Sequence, residues 1–226
     1  MNPPGLTVGE PRWHATLLIV VIMALYATMP PRFVFGKAWV MPLVVLVFLI
    51  PLIATMPLHR REPRLQRVLA IALIATMTLF NVASVVTLVL FVLGKSAAHK
   101  ISSGEELLMA AVPLWVTNVL IFALWFWETD AGGPIRRGQK ESAETFSHAD
   151  FVFPQMSIPN HPAYMERNWK PLLLDYVFLA FNNATAFSPA DTFPLTRRAK
   201  VMVMSEALTS LVTLAVIAAR AINILT

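Results

Sequence analysis

Four stretches of this chain carry no charged residue: 15–31, 38–58, 68–94 and 107–127. A fifth, 201–226, carries only Glu206 and Arg220. A bilayer core about 30 Å thick takes roughly 20 helical residues. Four of these windows therefore span it or nearly do, and the fifth spans it if its two charges are accommodated. Overall, 57% of the residues are hydrophobic and 14% charged, far from the balance of a soluble domain. Trp13, Trp39, Trp125, Trp127 and Trp169 fall at or near the ends of apolar runs, where amphipathic rings settle at headgroup depth, and Trp115 lies inside one. The expected fold class is an all-α integral membrane protein with about five transmembrane helices, plus a re-entrant short helix and turn before the last one.

The charges give an orientation. Basic residues between spans favour the cytoplasm. With a cytoplasmic N terminus and a hairpin over 171–190 that dips in and returns, thirteen of the 18 Lys and Arg residues face the cytoplasm. Arg12, the loop "HRREPRLQR", the segment 128–170 and "TRRAK" supply them. The first run is followed at once by a second span, so it reads as an uncleaved first helix and not a signal peptide. The net charge of +5 sits in short loops beside spans without a basic–aromatic patch, which argues against nucleic acid as a partner. The absence of cysteine excludes disulfides, thiolate metal sites and a cysteine nucleophile. The expected location is the bacterial cytoplasmic membrane, with the lipid bilayer as the first partner.

Three regions follow: a four-helix transmembrane region over 1–128, a long connection over 129–170, and a C-terminal hairpin and last helix over 171–226. The connection is too long to be an ordinary one. Its middle, "RRGQKESAETFSHAD", reads as solvated, and "FVFPQM" as a stretch for the membrane surface or for packing on the bundle.

The stretch "DYVFLAFNNATAFSPADTFPLTRRAK" differs from the rest. A helix over 171–184 is about 21 Å long and does not cross the core. It places Asp175, Phe178 and Asn182 on one face. Pro189 disfavours helix at Ser188, and Pro194 repeats the break. Backbone freed in this way is tolerated at membrane depth only inside protein or against a water-filled cavity. A polar cavity is therefore expected near 182–191. A plainer reading has "SPAD" start a helix, with Ser188 as N-cap and Pro189 at its first position, and has Asn182 and Asn183 bond between helices.

This order of parts resembles the pore module of the potassium-channel superfamily, over about a quarter of the chain. The resemblance implies that Asp175 lies on the pore helix and that Thr185 matches the filter threonine. Asn182, Asn183, Phe187 and Ser188 then belong to the pore and filter turn, with Asp191 after the filter and Pro194 beyond. The run 196–225 becomes the pore-lining helix, carrying Glu206, Ser210, Thr213 and Arg220. It further implies a homo-oligomer, four copies around one pore, and an inorganic ion as the permeant. No glycine stands between Thr185 and Asp191. A potassium-type carbonyl filter, which needs left-handed backbone, is not expected. "DYVFLAFNNATAFSPAD" and "ARAINIL" are also similar to a family of bacterial multi-pass membrane proteins.

Glu206, Ser210, Thr213, Ile217 and Arg220 form one polar stripe at helical spacing, suited to an aqueous path or a partner helix. Glu206 is within reach of Arg198 or Lys200, and Arg220 can snorkel. Asn81, Ser84, Thr117 and Asn118 read as interhelical hydrogen-bonding residues. His148 near Asp150, and His161 near Glu166, lack a repeated metal-ligand spacing. No metal, cofactor or catalytic constellation is expected, and the chain does not read as an enzyme. Passive permeation of an ion or small solute is the leading expectation. The alternatives are a non-conducting accessory subunit, or a small transporter with its site at the broken helix.

Overall fold

In the computed structural model the described residues are 12–37, 39–54, 63–94, 104–139, 148–157, 169–186 and 191–225, the last six (220–225) by backbone only. Among them the chain is mainly helical. The helices are α1 (Trp13–Thr28), α2 (Val40–Ala54), α3 (Pro63–Val92), α4 (Gly104–Thr129), α5 (Pro134–Gln139), α6 (Pro154–Ser157), α7 (Leu173–Ala186) and α8 (Arg197–Leu225). Short 3-10 turns at Pro31–Phe33 and Asp130–Gly132 join them. Two residue pairs, β1 (Phe151–Val152) and β2 (Phe193–Pro194), form a short antiparallel ladder. Three helical stretches are long and apolar enough to cross a membrane: Arg64–Val92, Glu105–Gly132 and Arg197–Ala219. The shorter apolar helices α1 and α2 accompany them. These proportions are consistent with an integral membrane protein.

The apolar windows became helices, and the helices run past the windows into charged sequence. Arg64 and Arg67 lie inside α3, and Glu105, Glu106 and Glu128 inside α4. Backbone hydrogen bonding does not stop where hydrophobicity stops. The two glutamates in the first turn of α4 also meet the positive end of its dipole. Pro51 and Pro113 sit within helices, as expected of spanning segments.

The central helix is α4, which packs against α1, α3, α7 and α8. Of its apolar window 61% is buried inside the bundle, against 39% for α3 and 22% for α8. Ala110, Ala111 and Ala123 let neighbours approach, and Leu114, Ile121 and Phe126 fill the space between them. The outward faces of α1, α2 and α8 stay apolar, with Leu17, Val47, Ile50, Met204 and Leu208 all exposed. An apolar exterior of this extent suits hydrocarbon, not water. Trp127, placed by its sequence position at headgroup depth, is buried in the bundle, and Trp125 donates its indole N–H to the Thr78 hydroxyl at 2.9 Å.

The two ends of segment 171–196 lie at the same end of the bundle. Near the start of α7, Tyr176 donates to Asp130 Oδ2 at 2.6 Å. Just before α8, Thr196 donates to Asp150 Oδ1 at 2.6 Å, while the Asp150 backbone N–H donates to Asp130 Oδ1 at 2.6 Å. Both ends of the segment are thus tied to the Asp130 turn. Between them, α7 runs inward to Asn183, which reaches Glu206 on α8.

The last helix begins later than the "SPAD" reading expects. Asp191 lies in a bend, Phe193 and Pro194 form β2, and α8 starts at Arg197. Its N-cap is Thr196, whose hydroxyl accepts from the Ala199 N–H at 3.2 Å. Residues 187–190, including Phe187 and Ser188, lie outside the described residues.

The connection opens with a tight turn that needs its glycines. Ala131, Gly132 and Gly133 follow one another with φ of 49°, 86° and 95°. A Cβ on Gly133 would sit 2.9 Å from the Glu128 carbonyl oxygen. Gly133→Ala therefore combines left-handed strain with a backbone clash and is expected to cost about 1–3 kcal/mol. A thermal midpoint in detergent lowered further than that of Gly36→Ala checks this, because Gly36 shares the positive φ and its strain but has open space around it.

Candidate functional site

Two buried polar clusters stand out among the described residues. The first is built around Asp130 and Asp150, at the end of the bundle where α4 finishes. Asp130 accepts from Tyr176, from the Asp150 N–H and, at 3.4 Å, from the Phe151 N–H. Arg137 donates one Nη1 to two carbonyls, Trp127 and Asp130, each at 2.7 Å, and its guanidinium lies 5.1 Å from the Tyr176 ring centroid. Asp150 takes Thr196 on one oxygen and forms a close ion pair with Arg198 on the other; Arg198 also reaches the Thr129 carbonyl at 3.1 Å. Phe151 packs tilted against Phe126 with ring centroids 5.0 Å apart, and Phe153 meets Tyr176 edge-on at 5.3 Å. Each carboxylate is met by donors, as burial requires. This cluster is a clamp that fixes the two feet of the 171–196 hairpin.

The sequence reading missed it. Arg137 and Asp150 bound a stretch expected to be solvated, yet both are buried. "FVFPQM" takes the packed alternative, through Phe151 and Phe153. The available signal was "ETD" directly after an apolar run, a place where acids need partners.

The second cluster lies deeper, where α3, α4, α7 and α8 meet. Asn81 on α3 donates its amide to Asn118 Oδ1 on α4 at 3.4 Å. Asn118 donates in turn to Ser210 Oγ at 2.9 Å and to the Glu206 carbonyl at 3.2 Å, both on α8. Asn183 on α7 donates to Glu206 Oε2 at 3.3 Å. Glu206, Ser210 and Thr213 are each 0% exposed, and Asn81, Asn118 and Asn183 only 1%. Glu206, Ser210 and Thr213 of the α8 stripe thus share one face, and that face packs inside the single chain.

The cluster is short of positive charge. Asn81 Oδ1, Asn183 Oδ1 and Glu206 Oε1 have no hydrogen-bond donor among the described residues, and no Lys or Arg pairs with Glu206. The expected reach of Glu206 to Arg198 or Lys200 does not occur, because Arg198 is held by Asp150 and Thr129. Buried acceptors without donors carry a desolvation cost that a proton or a cation would relieve. The chemistry available is oxygen ligation of a small cation, or protonation of Glu206.

The remaining expected site residues fall elsewhere. Asp175 sits in the first turn of α7 and accepts from the Leu172 N–H at 2.7 Å, the reach-back half of a capping box. The face carrying Asp175, Phe178 and Asn182 points outward, with Phe178 exposed; Tyr176, Leu179 and Asn183 form the buried face. Thr185 is exposed and donates to the Phe181 carbonyl at 2.8 Å in its own helix. Asp191 is exposed. Arg220 is on α8, with its side chain outside the description. His148 is exposed, and no cluster of potential metal ligands occurs among the described residues.

Comparison with known proteins finds no match: no family model, no curated protein and no solved structure is significantly similar to this chain. The site is therefore read from its own chemistry.

Asn118 is the junction of the deep cluster, touching Asn81, Glu206 and Ser210. Asn118→Leu is expected to leave these groups unpaired at a cost of about 1–3 kcal/mol, whereas Asn182→Leu, on the outward face, is expected to change little. Thermal unfolding of the two variants in detergent compares them directly.

Proposed function

We propose that this protein is an integral membrane protein that lets a cation or a proton pass through each chain, by way of Glu206 on α8, which Asn183 at the inner end of the short helix α7 contacts. The observation that carries the reading is the state of Glu206: fully buried, held by one long hydrogen bond from Asn183, with its second oxygen free of partners among the described residues. Glu206 lies about 14 Å along α8 from Arg197. With the Arg197–Lys200 end at the interface, that depth is near the middle of a core ~30 Å thick, where an ionisable group is costly unless it works. Short helix α7, about 21 Å long, enters from the same side and presents Asn183 in its last turn. A helix end thus meets the site, as in transporters that bind substrate at interrupted helices.

In this topology α1, α2, α3, α4 and α8 cross the membrane and the Asp130 end faces the cytoplasm. Described basic residues support that side: Arg12, Arg64, Arg67, Arg136, Arg137, Lys170, Arg197, Arg198 and Lys200 belong to the Asp130 end. Arg32 and Lys37 belong to the opposite one, where Arg32 pairs with Glu106 at the start of α4.

A second reading is an oligomeric pore of channel type shared between copies. The exposure of Thr185 and Asp191 on a single chain favours it, since a shared filter draws its ligands from each subunit's surface.

Flux into liposomes holding the purified protein separates these readings. Dissipation of an imposed potassium, sodium or proton gradient that falls about tenfold or more in Glu206→Gln, but persists in Asp191→Asn, is the outcome expected for a path inside each chain. Loss in Asp191→Asn alone points to the shared pore. No flux from the wild type, together with a stoichiometric partner that co-purifies, overturns both in favour of an accessory subunit.

The topology has its own test, because the chain has no cysteine to interfere. Phe35 and Ser157 are both exposed. Phe35→Cys is expected to react with an impermeant thiol reagent on intact cells, and Ser157→Cys only after the membrane is opened.

A further inference from the structure

A cavity of about 150 Å³ opens at the Asp130 end, between the starts of α1 and α3 and the turn that follows α4. Arg12, Arg64, Arg67 and Arg136 line it, with Glu128 and the backbone of Gly132 and Gly133. Four guanidiniums face one carboxylate. That carboxylate is already engaged by Arg12, at 3.3 and 3.5 Å, and both partners are buried. Arg67 is steadied by the Gly132 carbonyl at 2.6 Å. Arg64 and Arg136 are exposed and make no ion pair among the described residues. The buried Nε of Arg12 also lacks a partner there.

Among the described residues Arg64, Arg67 and Arg136 have no counter-ion, and their side chains would gain by spreading into solvent. The turn geometry helps hold them together. Gly132, at φ 86°, is so close to Arg136 that a Cβ would sit 2.7 Å from its Cδ. The planar forks of arginine match phosphate oxygens two at a time, and a group with more than one negative charge best offsets three unmatched cations.

A second, apolar cleft of about 20 Å³ adjoins the first and shares Arg12 and Glu128 with it. Ala15, Ile19, Leu73, Ile74, Leu124 and Trp127 line this shallow cleft between α1, α3 and α4. A charged pocket beside an apolar helix surface suits a headgroup whose acyl chain lies along the outside of the bundle. We propose that the arginine cavity binds a phosphate-bearing anion, and that the adjoining cleft makes an anionic phospholipid of the inner leaflet its occupant. Basic pockets between helices on the cytoplasmic side suit this chemistry. The proposal is independent of whether Glu206 conducts.

The test uses the full-length protein, purified in detergent and stripped of lipid, with binding read by native mass spectrometry and by thermal shift. Cardiolipin, phosphatidylcholine and glycerol phosphate are added separately. The variant Arg64→Gln/Arg136→Gln removes two cations that make no ion pair among the described residues, so its fold is expected to survive. Arg197→Gln, also exposed and at the same end, is the control. The expected result is binding of cardiolipin in preference to phosphatidylcholine, weakened about tenfold or more in the double variant and unchanged in Arg197→Gln. Stabilisation by glycerol phosphate that equals that by cardiolipin, and is lost in the double variant, keeps the phosphate site but overturns the lipid as its occupant. Equal binding of both lipids, equal binding by wild type and double variant, or no binding of any probe overturns the site itself.

Discussion

The carboxylate of Asp130 is the contact on which the rest of this structure depends. It sits just past the last turn of α4, buried, and accepts hydrogen bonds from Tyr176 on α7 and from the backbone at Asp150. Asp150 in turn holds Thr196 and Arg198 at the entry to α8. One short chain of charge-assisted bonds therefore sets where α7 starts and where α8 starts. At 14 residues α7 is too short to be stable in isolation and too short to cross a bilayer, so it depends on this clamp and on the packing of Leu179, Ala180 and Ala184 in the bundle.

Fixing both feet of the hairpin fixes its tip. Because α7 and α8 leave from one clamp, Asn183 and Glu206 arrive at the same depth, and α4 supplies Asn118 on the other side of α8. The two clusters differ in kind. At the clamp, each buried carboxylate is met by donors, the condition for a structural polar network. At the tip, the acceptors Asn81 Oδ1, Asn183 Oδ1 and Glu206 Oε1 have no donor among the described residues. A protein that needed only packing at that depth could have used apolar residues of similar size at lower cost. The imbalance is what makes the tip, and not the clamp, the candidate site.

The single chain also changes what the polar stripe of α8 can do. Spacing alone places Glu206, Ser210 and Thr213 on one face, which suits either a shared pore or an internal path. Their complete burial against α4 within one copy, together with the apolar exposed face at Met204, Leu208 and Leu211, leaves α8 presenting hydrocarbon outward. The stripe then acts as an interior surface. Thr185 and Asp191, which the channel resemblance places in a filter, lie at the surface, away from this interior.

Much of the architecture is decided by local sequence. Long charge-free runs must be helical in lipid, since backbone groups there have no other partner, and α1 to α4 and α8 fall where those runs are. The start of α7, at Leu173, follows closely on Pro171. Helix ends were less legible because hydrogen bonding continues into charged residues such as Arg64 and Glu128. What only the tertiary structure decided is which polar residues meet. Asp130 and Tyr176 are 46 residues apart, and Asn118 and Ser210 are 92 apart. No periodicity within a helix encodes a partner on another, because spacing fixes the face of one helix and leaves its rotation and depth to packing. The turn at Gly132 and Gly133, the depth of the Asp130 clamp and the small residues of α4 make that choice. It placed Arg137 and Asp150, read in the sequence as part of a solvated stretch, in the buried foundation of the site.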